Sequence, residues 1–221
     1  MKVLSVDTST HICRAGIFDS ERGIIADISV NLNSKHQRRH TEVLINLIEE
    51  IIVKSQMTLD EIDLIAVIIG PGSYTGLRAG VSTVKGLAFT LNKPIVPVNT
   101  LEALAWNFSY CALPICATIS AKKNELHCAI YRWSGDDLID TGLKGLYKID
   151  RFNELITEKT IIAGDAVLQY SEFIKENTDC IFPRLNLHSI SISAVAAAAI
   201  SMVERYGIVD ASIVVPRYSL G

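Results

Sequence analysis

The sequence predicts an α/β protein, and two observations lead to that prediction. First, the apolar and largely β-branched run Leu64–Ile69 is typical of a strand that is buried on both faces, and a glycine-rich turn and a helical segment follow it. Second, a β-meander followed by a strand, a turn and a helix occurs twice, beginning at Val3 and again at Ile115. The repetition indicates two subdomains of related design, which we predict to span residues 1–105 and 106–221.

The composition is that of a folded protein with a large core. About half of the 221 residues are hydrophobic, and the net charge of −3 argues against broad nucleic-acid binding by this chain alone. No apolar run reaches the roughly 20 residues of a membrane span. Because Met1 leads directly into a strand, we expect no secretory peptide and a cytoplasmic protein. The five cysteines form no Cys-x-x-Cys pair, so they are expected to be reduced thiols.

The first subdomain opens with a meander and continues with an amphipathic helix. The strands are predicted at Val3–Val6, Cys13–Phe18 and Gly23–Val30, and the helix at Thr41–Ser55. The apolar residues of this helix fall on one stripe, namely Val43, Leu44, Leu47, Ile48, Ile51 and Ile52. Two interpretations are open, since the stripe either packs on its own sheet or stays partly exposed for a partner.

Two histidines precede that helix at a spacing that could bind a metal. His36 and His40 are four residues apart, which places two imidazoles on one helical face. No third ligand lies nearby in the sequence, so a metal site is not expected here.

The turn Gly70–Gly76 and the helix after it form the most distinctive segment. The turn does not match a P-loop, because Leu77 and Arg78 stand where lysine and a hydroxyl residue are needed, nor does it match a dinucleotide fingerprint. The helix carries small residues at three- and four-residue spacings: Ala79, Gly80, Ser82, Thr83, Gly86 and Ala88. Each glycine in a helix costs about 1 kcal/mol relative to alanine. The pattern therefore predicts that another chain segment approaches this helix closely, while the turn is either a phosphate site or a simple crossover.

The second subdomain repeats the pattern of the first. Strands are predicted at Ile115–Ile119, Leu126–Trp133 and Thr160–Ala163, with helices at Arg151–Glu158 and Ala166–Glu176. An alanine-rich helix at Ser193–Arg205 follows, and Gly207 is its expected stop.

The segment Gly70–Ala88, GPGSYTGLRAGVSTVKGLA, resembles the signature of the TsaB (YeaZ-type) family. Further matches lie at Asp7–Thr10, His40–Glu42, Pro94–Val98 leading into Leu101–Ala105, and Ala163–Ala166. The resemblance implies an actin-like ATPase (ASKHA) fold of two related subdomains, each a mixed sheet flanked by helices.

The same resemblance implies a binding function. TsaB proteins are non-catalytic partners in the biosynthesis of threonylcarbamoyladenosine (t6A) at adenosine 37 of tRNA, and they bind and stabilise a TsaD-type catalytic subunit. A TsaE-type ATPase joins that complex, a homodimer forms in the partner's absence, tRNA is contacted only indirectly, and no membrane is involved. The catalytic homologues carry two metal-binding histidines where this chain has Thr100 and Leu104. We therefore expect neither a catalytic residue nor a metal site.

The resemblance also assigns the docking surface to two helices. The expected interface residues are His40, Leu44, Leu47, Ile51, Thr75, Arg78, Ala79, Ser82, Thr83 and Gly86. If this assignment holds, a bulky residue at Ala79 or Gly80 weakens association far more than folding.

A nucleotide cleft is the alternative that the resemblance allows. In actin-like ATPases an aspartate at the end of the first strand reaches the metal through water, and Asp7, with Thr8 beside it, matches that place. Gly164 and Asp165 would bound the cleft from the second subdomain. On this alternative the protein is an ATPase or phosphotransferase, or ATP or ADP with Mg binds at the level of the complex. Asp7 is equally open to a structural role, and no Ser/His/Asp or Cys/His arrangement supports a peptidase.

Overall fold

The computed structural model describes residues 1–32, 40–208 and 211–218, without the side chains of His40 and Ser212. In chain order the elements are β1 (Lys2–Asp7), β2 (Ile12–Asp19), β3 (Gly23–Asn31), α1 (His40–Ser55), β4 (Leu64–Gly70), α2 (Tyr74–Leu91), β5 (Ile95–Asn99), α3 (Thr100–Trp106), β6 (Ile115–Ser120), β7 (Glu125–Ser134), β8 (Asp137–Lys148), α4 (Ile149–Phe152), β9 (Thr160–Gly164), α5 (Asp165–Asn177), β10 (Cys180–Ile181) and α6 (Ile192–Tyr206). They form two compact units, of which unit 1 holds Met1–Thr100 and Ile192–Tyr218 and unit 2 holds Leu101–Ser191.

Unit 1 is a five-stranded mixed sheet with helices on both faces. The strand order is β3-β2-β1-β4-β5, in which β1, β2 and β3 form the antiparallel meander and β4 and β5 run parallel to β1. Every residue of β4 is buried, as the apolar run predicts for a central strand. Helices α1 and α2 share a core with one face of the sheet, while α6 packs on the other face, where Ile192 lies against Gly16.

Unit 2 repeats this arrangement. Its strand order is β8-β7-β6-β9-β10, again with an antiparallel meander followed by parallel strands, and α5 packs against β6 and β9. The strands β4 and β9 end on glycines of the same conformation, since Gly70 has φ +124° and Gly164 has φ +125°. The repetition confirms the predicted fold class of two related α/β subdomains. The sequence did not predict β8, because most of its residues are exposed and show no clear alternation.

The compact units differ from the predicted division in two segments. Leu101–Ala105, which the prediction assigned to the first subdomain, belong to unit 2. The prediction assigned all of residues 106–221 to the second subdomain, whereas α6 and the tail through Tyr218 belong to unit 1. The reason is the apolar surface of α6, whose buried alanines and valine allow it to lie flat on β1, β2 and β5.

The apolar stripe of α1 packs on its own sheet. Leu44 and Ile51 are fully buried and Leu47 is nearly so, and all three lie in the core of unit 1 with strand residues such as Val6 and Ile65. The expectation that Leu44, Leu47 and Ile51 form part of an exposed docking surface is therefore wrong. The physical reason is that the sheet face beneath α1 is itself apolar and needs this stripe as its cover.

The small residues on the inner side of α2 have a partner within the chain. A Cβ atom at Gly76 would overlap the carbonyl oxygen of Thr8, and one at Gly80 would overlap the Thr8 hydroxyl. The close approach that the sequence predicted is thus partly an internal contact with the end of β1. For Gly80 this corrects the expectation that a bulky residue would act mainly on association.

Two glycines of α2 provide a matched test of this contact. Gly86 has open space around its Cα, so Gly86→Ala should stabilise the protein by about 0.5–1 kcal/mol through helix propensity. Gly76→Ala places the same methyl group against a backbone carbonyl and should destabilise it by about 1–3 kcal/mol. Urea unfolding of both variants measures the difference, and equal effects would show that Thr8 does not limit the approach of α2.

Candidate functional site

The end of β1 and the start of α2 form a tightly bonded junction. The Thr8 hydroxyl donates a hydrogen bond to the Gly76 carbonyl at 2.8 Å, and the Ser73 amide donates to the Ser9 carbonyl at 2.7 Å. Ser73 also caps the helix, because its hydroxyl accepts from the Gly76 amide at 3.2 Å. Ser73 is thus the N-cap of α2, and through it the glycine turn is hydrogen-bonded to the residues that follow β1.

Asp7 lies at the centre of this junction and is fully buried. Its Oδ1 accepts hydrogen bonds from the Ser9 amide at 2.8 Å and the Ser9 hydroxyl at 2.6 Å. Its Oδ2 faces the Arg14 guanidinium at 3.2 Å, and that side chain is only 11% exposed. Both carboxylate oxygens are thus engaged within unit 1, which favours the structural interpretation of Asp7.

The charges of this junction act on a neighbouring thiol. Cys13 lies next to Arg14 on β2 and is fully buried. Burial raises the pKa of Cys13 to about 12. The negative charge of Asp7 adds to this effect, and the positive charge of Arg14 opposes it. The thiol is therefore a core residue without nucleophilic character.

The second pair of predicted cleft residues lies in unit 2 and is likewise engaged locally. The Gly164 amide donates to Nδ1 of the buried His188 at 3.3 Å, so Nε2 carries the proton toward the Pro183 carbonyl. The Oδ1 atom of Asp165 accepts from the Ser120 amide at 2.7 Å. A Cβ atom at Gly164 would overlap the Thr118 carbonyl, so the glycine is required by packing as well as by its positive φ.

The outer side of α2 is an open surface of unit 1 that includes predicted site residues. We call it the outer stripe, and it consists of Thr75, Arg78, Ala79, Ser82, Thr83, Gly86 and Phe89. All seven are exposed or half-buried, and Phe89 is 89% exposed. A large aromatic ring beside a run of small side chains forms a knob next to a flat surface, which is the shape of a helix-packing face.

The end of the outer stripe near the N-terminus of α2 is ordered by the chain's own tail. The Arg78 guanidinium donates to the Tyr74 hydroxyl at 3.0 Å, and the Tyr74 ring lies 4.4 Å from that of Tyr218. The tail itself is fixed by the Arg217 amide, which donates to the Ile69 carbonyl at 2.6 Å. At this end the outer stripe is therefore fixed by Tyr74 of α2 and by Tyr218 of the C-terminal tail.

Helix α1 exposes a different face from the one that the sequence analysis expected at the surface. Its exposed side presents Glu42, Ile45, Glu49 and Val53 at helical spacing, and α1 packs directly against α2. Ile45 is 45% and Val53 75% exposed. His36 and the side chain of His40 lie outside the described part of the chain, so the spacing of this pair is not tested.

The structure places Thr100 and Leu104 in the interior. Both are fully buried on α3, and Leu104 is a core residue. Among the described residues, no three His, Cys, Asp or Glu side chains come together as a metal site. In the same part of the chain, no helix combines the length and apolarity needed to cross a membrane.

Two residues of the candidate site were missed at the level of sequence. Arg14 faces Asp7 because β1 and β2, joined through Thr8–His11, pair antiparallel with these two residues opposite each other, and no local sequence pattern signals that register. Phe89 continues the spacing of Ala79, Ser82 and Gly86 along the same helical face, so it was visible in the pattern.

Comparisons with known proteins agree with the geometry. A family model described as "TsaD: tRNA N6-adenosine threonylcarbamoyltransferase" matches residues 25–213. The tRNA threonylcarbamoyladenosine biosynthesis protein TsaB of Haemophilus influenzae is 32% identical over 129 residues, covering 58% of this chain and 52% of that protein. This chain therefore spans about half the length of that curated relative.

Solved structures establish the fold. YeaZ from Pseudomonas aeruginosa superposes with a TM-score of 0.81 over 98% of this chain and 99% of that chain, at 22% identity. The ROK hexokinase from Thermus thermophilus superposes with a TM-score of 0.51 over 92% of this chain and 100% of that chain, at 12% identity. The predicted actin-like ATPase fold is thereby confirmed.

The thiols give a test of the packing around this site. Cys13, Cys116 and Cys128 are fully buried, and the pKa of Cys116 is raised by its hydrogen bond with Cys128 and by burial. At pH 8 a thiol of pKa about 12 is ionised in about one molecule in ten thousand. Iodoacetamide should therefore label the half-buried Cys111 and Cys180 first, as read by mass spectrometry.

The control for this experiment is the protein in urea, where all five cysteines should react at similar rates. Raising the pH from 8 to 9 should leave Cys13 of the native protein unlabelled, since both values lie well below its pKa. Labelling of native Cys13 as fast as Cys111 would contradict the described junction.

Proposed function

Because this chain belongs to the TsaD family, as a protein of its TsaB (YeaZ-type) branch, we propose that it acts in t6A biosynthesis as a non-catalytic partner. It would bind a TsaD-type transferase and hold it in a form that transfers threonylcarbamoyl to tRNA. The relative from Haemophilus influenzae is a tRNA threonylcarbamoyladenosine biosynthesis protein, which supports this pathway.

The observation that carries the proposal is the outer stripe of α2. Small side chains at Ala79, Ser82 and Gly86 allow the backbone of a partner helix to approach closely. Phe89, almost fully exposed, supplies the apolar area that a central interface contact needs. A soluble domain gains nothing in its own stability from an aromatic ring in water, so the ring supports a binding role.

The surface that we propose combines both helices. The outer stripe forms its main part, and the exposed side of α1, with Ile45 and Val53, forms a flank. Glu42 and Glu49 on the same side are exposed and would favour a partner with basic residues opposite them. Leu44, Leu47 and Ile51 would act indirectly, because their burial fixes α1 beside α2.

The absence of a catalytic role is also part of the proposal. Thr100 and Leu104 stand where the catalytic homologues are expected to have metal-binding histidines, and neither side chain can replace an imidazole as a ligand. The carboxylates of Asp7 and Asp165 are both engaged in local hydrogen bonds. These features support a binding protein over the alternative of an ATPase or phosphotransferase.

A charged residue in the outer stripe tests the proposed surface. Ser82→Arg should weaken binding of the cognate TsaD-type protein at least ten-fold, since it places a long cation on the flat part of the stripe. Ser82 is exposed, so the free energy of unfolding should stay within about 0.5 kcal/mol of the wild-type value. Light scattering of the mixture and t6A formation in the reconstituted system are the two measurements.

The matched control is Gln169→Arg, which adds the same charge to an exposed position of α5. It should leave binding and t6A formation unchanged. A wild-type protein that forms no complex with its cognate partner would overturn the proposal, and so would a Ser82→Arg variant that binds normally.

Removal of the exposed ring tests the proposed anchor. Phe89→Ala should weaken the same complex about thirty-fold, the effect of losing a central aromatic contact. Tyr206→Ala removes another exposed aromatic side chain near the end of a helix and serves as the control. Titration calorimetry compares the two variants, and equal affinities would show that Phe89 lies outside the interface.

A further inference from the structure

The buried ion pair at the end of β1 is not explained by the docking function. Asp7 is inaccessible, and three groups satisfy its two oxygens: the Ser9 amide, the Ser9 hydroxyl and the Arg14 guanidinium. Arg14 is itself largely buried, and Asp27 on β3 lies within electrostatic range of it. Charged side chains are rarely held in the interior without a partner that fixes them.

The actin-like fold implies a metal-bound nucleotide near the end of β1, and the residues present do not fit that group. A divalent cation near Asp7, whether direct or through water, needs carboxylate oxygens with free lone pairs and an accessible face. Here Oδ1 is taken by two donors at 2.8 and 2.6 Å, and a positive charge stands 3.2 Å from Oδ2. A divalent cation at this place would be repelled by the positive charge of the guanidinium and would find no carboxylate oxygen free to bind it.

We propose that Arg14 is a built-in counter-cation that takes the place of a metal ion at Asp7. Its guanidinium neutralises the carboxylate from within the sheet, so unit 1 does not bind a metal nucleotide through Asp7. The register places the two residues directly opposite each other on β1 and β2, which makes the neutralisation permanent in the folded chain.

The neutralised carboxylate serves the β1–α2 junction. Its hydrogen bonds hold Ser9, whose carbonyl accepts from the Ser73 amide at the start of α2. Arg14 is therefore a positioning residue, since it acts on α2 only through Asp7 and Ser9. This role goes beyond the proposed docking function and does not depend on the identity of the partner.

The experiment measures cation binding with Mn²⁺ alone and with Mn²⁺ and ATP. Wild-type protein should show no saturable binding by calorimetry and no rise in Tm. Arg14→Met keeps an unbranched apolar stem but removes the guanidinium, which leaves the Asp7 carboxylate without its counter-cation. Mn²⁺ at ten times its dissociation constant should then raise the Tm of this variant by roughly 3–6 °C.

Two further variants separate charge from packing. Arg14→Lys restores a cation and should behave as the wild type, without any response to Mn²⁺. The double variant Asp7→Asn with Arg14→Met removes both charges and should lose most of the Mn²⁺ response of Arg14→Met.

Two results would overturn the proposal. One is wild-type binding of Mn²⁺ and ATP that Asp7→Asn abolishes, which decides the question even if Arg14→Met does not fold. The other is a folded Arg14→Met variant whose Tm is indifferent to Mn²⁺.

Discussion

The close approach of Thr8 to the first turns of α2 is the constraint on which the rest of unit 1 depends. Thr8 leaves no room for a side chain at Gly76 or Gly80. The Thr8 hydroxyl and the Ser9 carbonyl are also hydrogen-bonded to the start of the helix. Helical periodicity then separates two roles on one element. Gly76 and Gly80 face β1 and set the position of the helix, while Ala79, Ser82 and Gly86 face outward. Small residues thus serve packing on one side, and on the other they form the surface proposed to bind a partner.

The sequence predicted the features that depend on local patterns. The buried strand β4 and the close approach of another segment to the small residues of α2 follow from composition and periodicity. Features that depend on which distant segment packs against an element could not be predicted from the sequence. An amphipathic helix such as α1 has the same pattern whether its stripe meets a sheet or a partner, so the burial of Leu44 could not be read from the sequence. The partner of Asp7 depends on strand register, and the long edge strand β8 depends on pairing with β7 rather than on its own pattern.

The repeated architecture explains why residues typical of a nucleotide cleft persist in a protein proposed to bind another protein. The glycines that end β4 and β9 share a positive φ, and a Cβ atom at either position would overlap a backbone carbonyl. Such positions are fixed by backbone geometry, whatever the function of the chain. Charged positions are less constrained by the backbone. Here the carboxylates of Asp7 and Asp165 each accept a hydrogen bond from a donor in their own unit. The backbone geometry of the fold therefore does not show whether a site binds nucleotide. That depends on the hydrogen-bond partners of each polar side chain in it.

The fixation of α2 at its N-terminus has a consequence for the thermodynamics of association. A helix that is bonded to β1 through Thr8 and Ser9, and held against Tyr218 by Tyr74, has already lost its conformational entropy on folding. Binding to a preorganised surface of this kind does not repeat that loss, so a larger share of the contact energy appears as affinity. The same rigidity limits adaptation, because the surface can change through the side chains of its outer stripe but not through the path of its backbone.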